Sequence, residues 1–100
     1  MKDLKEIDKE LYKKCIEKWG LPSQLLMLVE ECTELSTATL HLLRKNKGFH
    51  GKKINHLAEE IADVELMINQ ICSYYPGIRE TITRHKIRKK RRLIKRLEEP

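Results

Sequence analysis

The stretch Leu25-Leu26-Met27-Leu28-Val29-Glu30-Glu31-Cys32-Thr33-Glu34-Leu35 decides the fold, because a strongly apolar run carries carboxylates and still keeps a helical period. At roughly 100° per residue, Leu25, Leu28, Val29, Cys32, Leu35, Leu42 and Leu43 gather into one apolar face. A second segment repeats the plan around Glu59-Glu60-Ile61-Ala62-Asp63, with Leu57, Ile61, Val64, Ile68 and Ile71 as its face. Measured from the centre of each face, Glu31 and Glu60 fall on one shoulder, roughly 80° away, and Glu34 and Asp63 lie one turn on, further round the same side. Glu30 and Glu59 point towards the backs of their helices. If the two faces pack antiparallel, Glu31, Glu34, Glu60 and Asp63 converge at the edge of the helix pair.

Four anions meeting there repel, and only protons or cations relieve them. All-oxygen donors suit hard divalent ions such as Mg²⁺ or Mn²⁺. The chain has no Glu-x-x-His pair of the di-iron kind and its three cysteines are far apart, which disfavours softer metals. Any single acidic i, i+3 pair reads first as solvated helix charge. Two pairs in the same relation to two cores favour a metal site.

Glycine and proline divide the chain into four helices. The first is predicted from about Asp3 to Trp19, ending at Gly20-Leu21-Pro22. The second, with Ser23 as its cap, runs to about Lys45, and Asn46 to Gly51 forms a loop. The third runs from about Ile54 to Tyr75, and the fourth starts after Pro76-Gly77 and ends near Glu98. No β-type alternation, repeat or low-complexity linker is present. One all-α domain over residues 1–100 is expected.

Hydrophobic residues make up 40% of the chain with a single Phe and a single Trp, so the core must be mostly aliphatic and modest in size. Leu26, Leu40, Ala62 and Leu66 lie away from the main faces, and self-association into a dimer or tetramer is the simplest way to cover them. Cys15, Cys32 and Cys72, odd in number and without CxxC spacing, read as reduced core residues. Neither a membrane span nor a signal peptide is indicated, so the cytoplasm is the expected location.

Charge is uneven. Residues 84–100 carry nine Lys and Arg against two Glu, whereas residues 1–83 carry 12 cations against 13 anions. The run Arg84-His85-Lys86-Ile87-Arg88-Lys89-Lys90-Arg91-Arg92 calls for an anionic partner, with phosphates the obvious choice. A solvated face, salt-bridged to Glu98, Glu99 or the acidic first helix, is the competing interpretation.

Carboxylates that hold metal and cations that hold phosphate suggest a metal-bound polyphosphate substrate. At this point the spacing becomes specific. Glu30-Glu31-x-x-Glu34, followed after 25 residues by Glu60-x-x-Asp63, resembles the EExxE…ExxD signature of the MazG-like all-α nucleoside triphosphate pyrophosphohydrolases. Trp19-Gly20, Gln24, Ala38, Arg44 and the run Leu57 to Val64 match as well, and Lys86 with the arginines beyond it resembles the family's terminal Lys/Arg pattern. The resemblance covers residues 19–72 well and the C-terminal helix loosely.

It implies a helical bundle and hydrolysis of a (d)NTP to the monophosphate and pyrophosphate, in nucleotide-pool cleaning or balance, with Mg²⁺ as cofactor. Glu31, Glu34, Glu60 and Asp63 would hold the metal, and Glu34 or Glu31 could take a proton from the attacking water. Cations would cradle the phosphates from outside the metal: Lys45 continues the Glu31, Glu34, Ala38, His41 stripe, the adjacent loop adds Lys47, Lys52 and Lys53, and Lys86, Lys89 and Lys90 come from the fourth helix. Trp19 could stack on a nucleobase and Gln24 read its edge, though a core tryptophan closing the first helix fits as well. His41 and His56 lie on the carboxylate side of their helices and read first as surface histidines.

Two other classes stay open. In one, the basic C-terminal helix tracks a nucleic-acid backbone and the acidic clusters are structural. In the other, the exposed leucines dock a partner and the chain is a non-catalytic adaptor.

Overall fold

Local chemistry at the helix ends sets the layout. α1 (Leu4–Trp19) starts where the Asp3 carboxylate accepts a hydrogen bond from the Glu6 N–H at 2.9 Å. It stops at Gly20, whose N–H donates to the Ile16 carbonyl at 2.8 Å with φ at +84°, a conformation that strains any L side chain. The Gly20 carbonyl then accepts the Gln24 N–H at 3.2 Å, so one glycine closes α1 and opens α2 (Leu21–Leu43). Pro22 fits the first turn, where its missing N–H has no helical partner to lose. Ser23 therefore lies inside the helix and makes no cap, because the glycine turn has already started it two residues upstream of that serine.

The computed structural model describes residues 1–44 and 50–100. α3 (His50–Tyr74) starts a full turn earlier than Ile54, and α4 (Ile78–Glu98) follows Gly77, which sits in the left-handed region at φ +80°. The protein is all-α, with four helices and no strand among the described residues. No described helix is long and apolar enough to cross a membrane.

α2 and α3 form an antiparallel hairpin, the main packing unit of the chain. The inward residues of α2 are Gln24, Leu28, Glu31, Leu35, Ala38 and Leu42; those of α3 are Lys53, Leu57, Glu60, Val64, Met67 and Ile71. Both stripes alternate steps of four and three, the period that keeps two helices in contact along a seam. The amide of Gln24 donates to the Gln70 side-chain oxygen at 2.6 Å across this seam. That pairing sets the register. It puts Glu31 opposite Asp63 and Glu34 opposite Glu60, two turns further along.

The seam is rotated from the face expected on hydropathy. Val29 is 61% exposed, and Leu25, Cys32, Leu43, Ile61 and Ile68 are also exposed. Each apolar arc is wider than one helix–helix contact can cover. The pair buries one margin of the arc, through Leu28, Leu35, Leu57 and Val64, and the remainder forms an outer flank on the side away from Glu34 and Asp63. Of the cysteines only Cys72 is buried; Cys15 is half-buried, Cys32 lies on the open flank, and all three are free thiols.

α1 leans against α3, with Tyr12, Cys15 and Ile16 half-buried and the Asn69 amide donating to the Tyr12 hydroxyl at 3.4 Å. α4 is tied down only at its start. Arg79 donates to the side-chain Oδ1 of Asn69 at 3.1 Å, Ile78, Thr81 and Ile82 are half-buried, and every residue from Thr83 onwards is exposed.

Candidate metal centre

The rotated seam changes the standing of two carboxylates. Glu31 and Glu60 are seam residues and not shoulder residues: they occupy positions that Leu or Val fill elsewhere on the same stripes. Glu60 is only 8% exposed. Glu34 and Asp63, three residues on, flank the seam on its solvent side. One oxygen from each of the four lies within 4.8 Å of the other three.

The electrostatics of this quartet are unfavourable as they stand. Burial, then the neighbouring charges of Glu34 and Asp63, a hydrogen bond with Glu34 and the charge of Glu60 push the Glu31 carboxyl above its usual range. Glu60 is pushed up for similar reasons, burial first and Glu34 next, with His56 pulling the other way. Nε2 of His56 lies 3.7 Å from Glu60 Oε1. The second oxygens of both Glu31 and Glu60 are buried without a hydrogen-bond partner. A buried acceptor left without a donor costs folding free energy, and native proteins rarely keep one idle.

The donor set fits a hard divalent cation. Oxygens on opposite sides of a magnesium or calcium ion lie about 4–5 Å apart, the scale of this cluster. All four donors are carboxylate oxygens, and among the described residues no cysteine or imidazole belongs to the group. Glu30 and Glu59 stand outside it, as their helical phase predicts.

One turn further along the seam lies an open cavity of about 250 Å³, lined by Ala38, His41, Arg44, Lys52, Lys53 and His56. The small Ala38, almost fully buried, lets the helices approach there. Among the described residues that line it, Arg44, Lys52 and Lys53 are permanent cations and His41 and His56 are histidines, so an anionic pocket occupant would sit directly beside the carboxylate cluster.

The expected substrate-binding residues divide accordingly. Lys53 lines the cavity. Lys45 lies outside the described residues. Lys86, Lys89 and Lys90 stand on the exposed length of α4, and none of them lines the cavity. Gln24 is 5% exposed and commits its amide to Gln70, two helical turns from Glu31. Trp19 is 54% exposed at the end of α1, with the Lys18 ammonium 5.5 Å from its ring centroid.

Arg44, His41 and His56 are the neighbours that the sequence underweighted. The spacing signal for the histidines was there, since His41 follows Glu34 by a heptad and His56 precedes Glu60 by one turn and both fall on the acidic side; what it lacked was the cavity that they share with Arg44. Comparison of the chain with protein-family models, with curated proteins and with solved structures finds no match in any of the three.

Proposed function

We propose that this chain is a Mg²⁺-dependent nucleoside triphosphate pyrophosphohydrolase of the MazG-like kind, with Mn²⁺ as an alternative ion, working as a homo-oligomer. The observation that carries the proposal is the quartet Glu31, Glu34, Glu60 and Asp63, held together within 4.8 Å with two buried oxygens lacking partners. Ordinary solvated charges would spread apart. A seam that forces anions together is understandable when a cation completes it.

The cation-lined cavity supplies the second half of the argument. Metal chemistry at such a site consists of neutralising phosphate oxygens and activating water. Arg44, Lys52 and Lys53 would hold the phosphate oxygens that face away from the carboxylates. Arg44 offers a fork that matches two phosphate oxygens at once. Glu34, solvent-facing within the quartet, is the residue placed to accept a proton from water, since its exposure leaves one oxygen accessible. His41 and His56 add donors whose charge depends on pH.

At about 250 Å³ the cavity suits phosphates better than a whole nucleotide, since pockets that enclose drug-sized ligands usually run to about 300–1,000 Å³. Base and sugar would then lie outside the cavity. The outer flank of Leu25, Val29, Ile61 and Ile68 is an exposed apolar strip of the kind that association covers.

Incubation of the purified protein with each common NTP and dNTP, with and without Mg²⁺, tests the proposal. The expected product is pyrophosphate with the corresponding monophosphate, released only with metal. Orthophosphate as the sole phosphate product, or no release from any nucleotide, would overturn it.

A further inference from the structure

The sequence of α4 from Arg84 to Arg96 holds nine Lys and Arg and no Asp or Glu. In the folded chain these cations remain uncompensated: among the described residues the ion pairs are Lys2–Glu10, Lys13–Glu17 and His56–Glu60, and none involves α4. Neither Glu98, Glu99 nor the acidic residues of α1 reach them. The helix nonetheless runs unbroken to Glu98 with every side chain from Thr83 exposed. A rod of about 18 Å from residue 84 to 96, at 1.5 Å per residue, thus stands clear of the body with an unneutralised charge along its length.

From charge complementarity we infer that α4 is a docking helix for duplex DNA, binding its phosphate backbone without regard to sequence and independently of the carboxylate centre. At the helical step, Arg84, Arg88, Arg91, Arg92 and Lys95 share one side, and Lys86 and Lys90 stand on the other. Cations on both sides suit a helix lying in the major groove, which is wide enough to admit it between two phosphate walls. The same distribution argues against a lipid surface. Lys86 and Lys90 interrupt the side that carries Ile87, Leu93, Ile94 and Leu97, and residues 78–98 contain no aromatic anchor. That lack of aromatics also removes the stacking platform a single strand would need.

The test uses the full chain and a fluorescein-labelled 20-base-pair duplex of arbitrary sequence, read by anisotropy in EDTA over a series of KCl concentrations. Five phosphate contacts give a slope of log K against log salt of about −4.5, and each contact removed lowers its magnitude by about 0.9. Binding is expected to be the same for a second, unrelated duplex. Arg88→Gln with Arg92→Gln should flatten the slope by two contacts, and R88E/R92E should weaken binding more than tenfold at low salt. Because both side chains are exposed, and Arg88 meets only the ring of His85 one turn back on the same helix, circular dichroism of these variants should match the parent. No binding at low salt, a slope unchanged in R88Q/R92Q, a preference for single-stranded DNA of equal length, or tighter binding to phosphatidylcholine–phosphatidylserine vesicles than to the duplex would each overturn the inference.

Discussion

The α2–α3 hairpin and α4 are both densely charged helical regions, and they handle that charge in opposite ways. In the hairpin, four carboxylates are drawn into and beside a packed seam, where burial and mutual repulsion raise the carboxyls of Glu31 and Glu60. In α4, nine cations stand in water with no packing to constrain them. Solvated charge costs the fold little, so α4 says only what it would attract. Buried charge opposes folding. At Glu60 in the seam that cost is what the proposed cation would offset, and the all-carboxylate oxygen set suits a hard one.

The sharpest way to break this contrast is to remove single anions from the quartet. Glu34→Gln or Asp63→Asn should lower pyrophosphate release by at least about a hundredfold, since even outer partners of metal ligands are worth about 10–100-fold. Both residues are solvent-facing, so circular dichroism should match the parent, and with one repelling charge gone beside Glu31 and Glu60 the metal-free variants should melt no lower than the parent. Turnover retained in both variants would dissolve the distinction between the two regions.

A second expectation concerns protons and metal competing for the same oxygens. Because Glu31 and Glu60 titrate above the ordinary value of 4.5, the folded chain binds protons more tightly there than the unfolded chain does. Their contribution to stability is complete below pH 4.5 and is lost as pH rises through the raised values, so metal-free protein should lose stability on going from mildly acidic to neutral buffer. Mg²⁺ or Mn²⁺ at neutral pH replaces the lost protons, adding about 2.7 kcal/mol at a hundredfold excess over Kd. Glu60→Gln removes a buried anion. It should melt higher than the parent in metal-free neutral buffer and lose the metal response. Thermal melts across pH, with and without metal, check all three statements, and a parent that ignores both metal and pH would remove the case for a strained centre.

The smallest effect belongs to the junction between the regions. Gly77 holds φ at +80° with no atom within 4 Å of where a Cβ would stand, so Gly77→Ala meets backbone strain alone. A cost of about 1 kcal/mol is expected, lowering the melting temperature by about 4–8 °C for a chain this size. Pyrophosphate release should persist, because the junction lies far along α3 from the carboxylates. Loss of turnover in this variant would mean that α4 and the hairpin work as one unit.

Much of this was legible without coordinates. The glycine and proline breaks mark helix ends to within a turn, with Ser23 and Ile54 as the misplaced boundaries. In each case a glycine lies nearby: Gly20 starts α2 ahead of Ser23, and Gly51 falls inside α3 despite its weak helical preference. The convergence of Glu31, Glu34, Glu60 and Asp63 was also legible, because two i, i+3 pairs on antiparallel helices meet whenever the helices pack in the right register. Their depth was not. Hydropathy points Val29 and Ile61 inward, and it cannot tell which margin of a wide apolar arc a partner helix will take.

What the sequence alone determined is the all-α architecture, the helix breaks and the pairing of two acidic motifs, since these follow from local backbone preferences and from period. Only the tertiary structure decided that Glu31 and Glu60 lie in the seam, that Gln24 is spent on Gln70, and that Arg44, Lys52 and Lys53 share a cavity beside the carboxylates. Those facts depend on rotation and register between helices. Both are fixed by contacts between residues distant in the chain, the Gln24–Gln70 bond and the close approach at Ala38 among them, which no local pattern encodes.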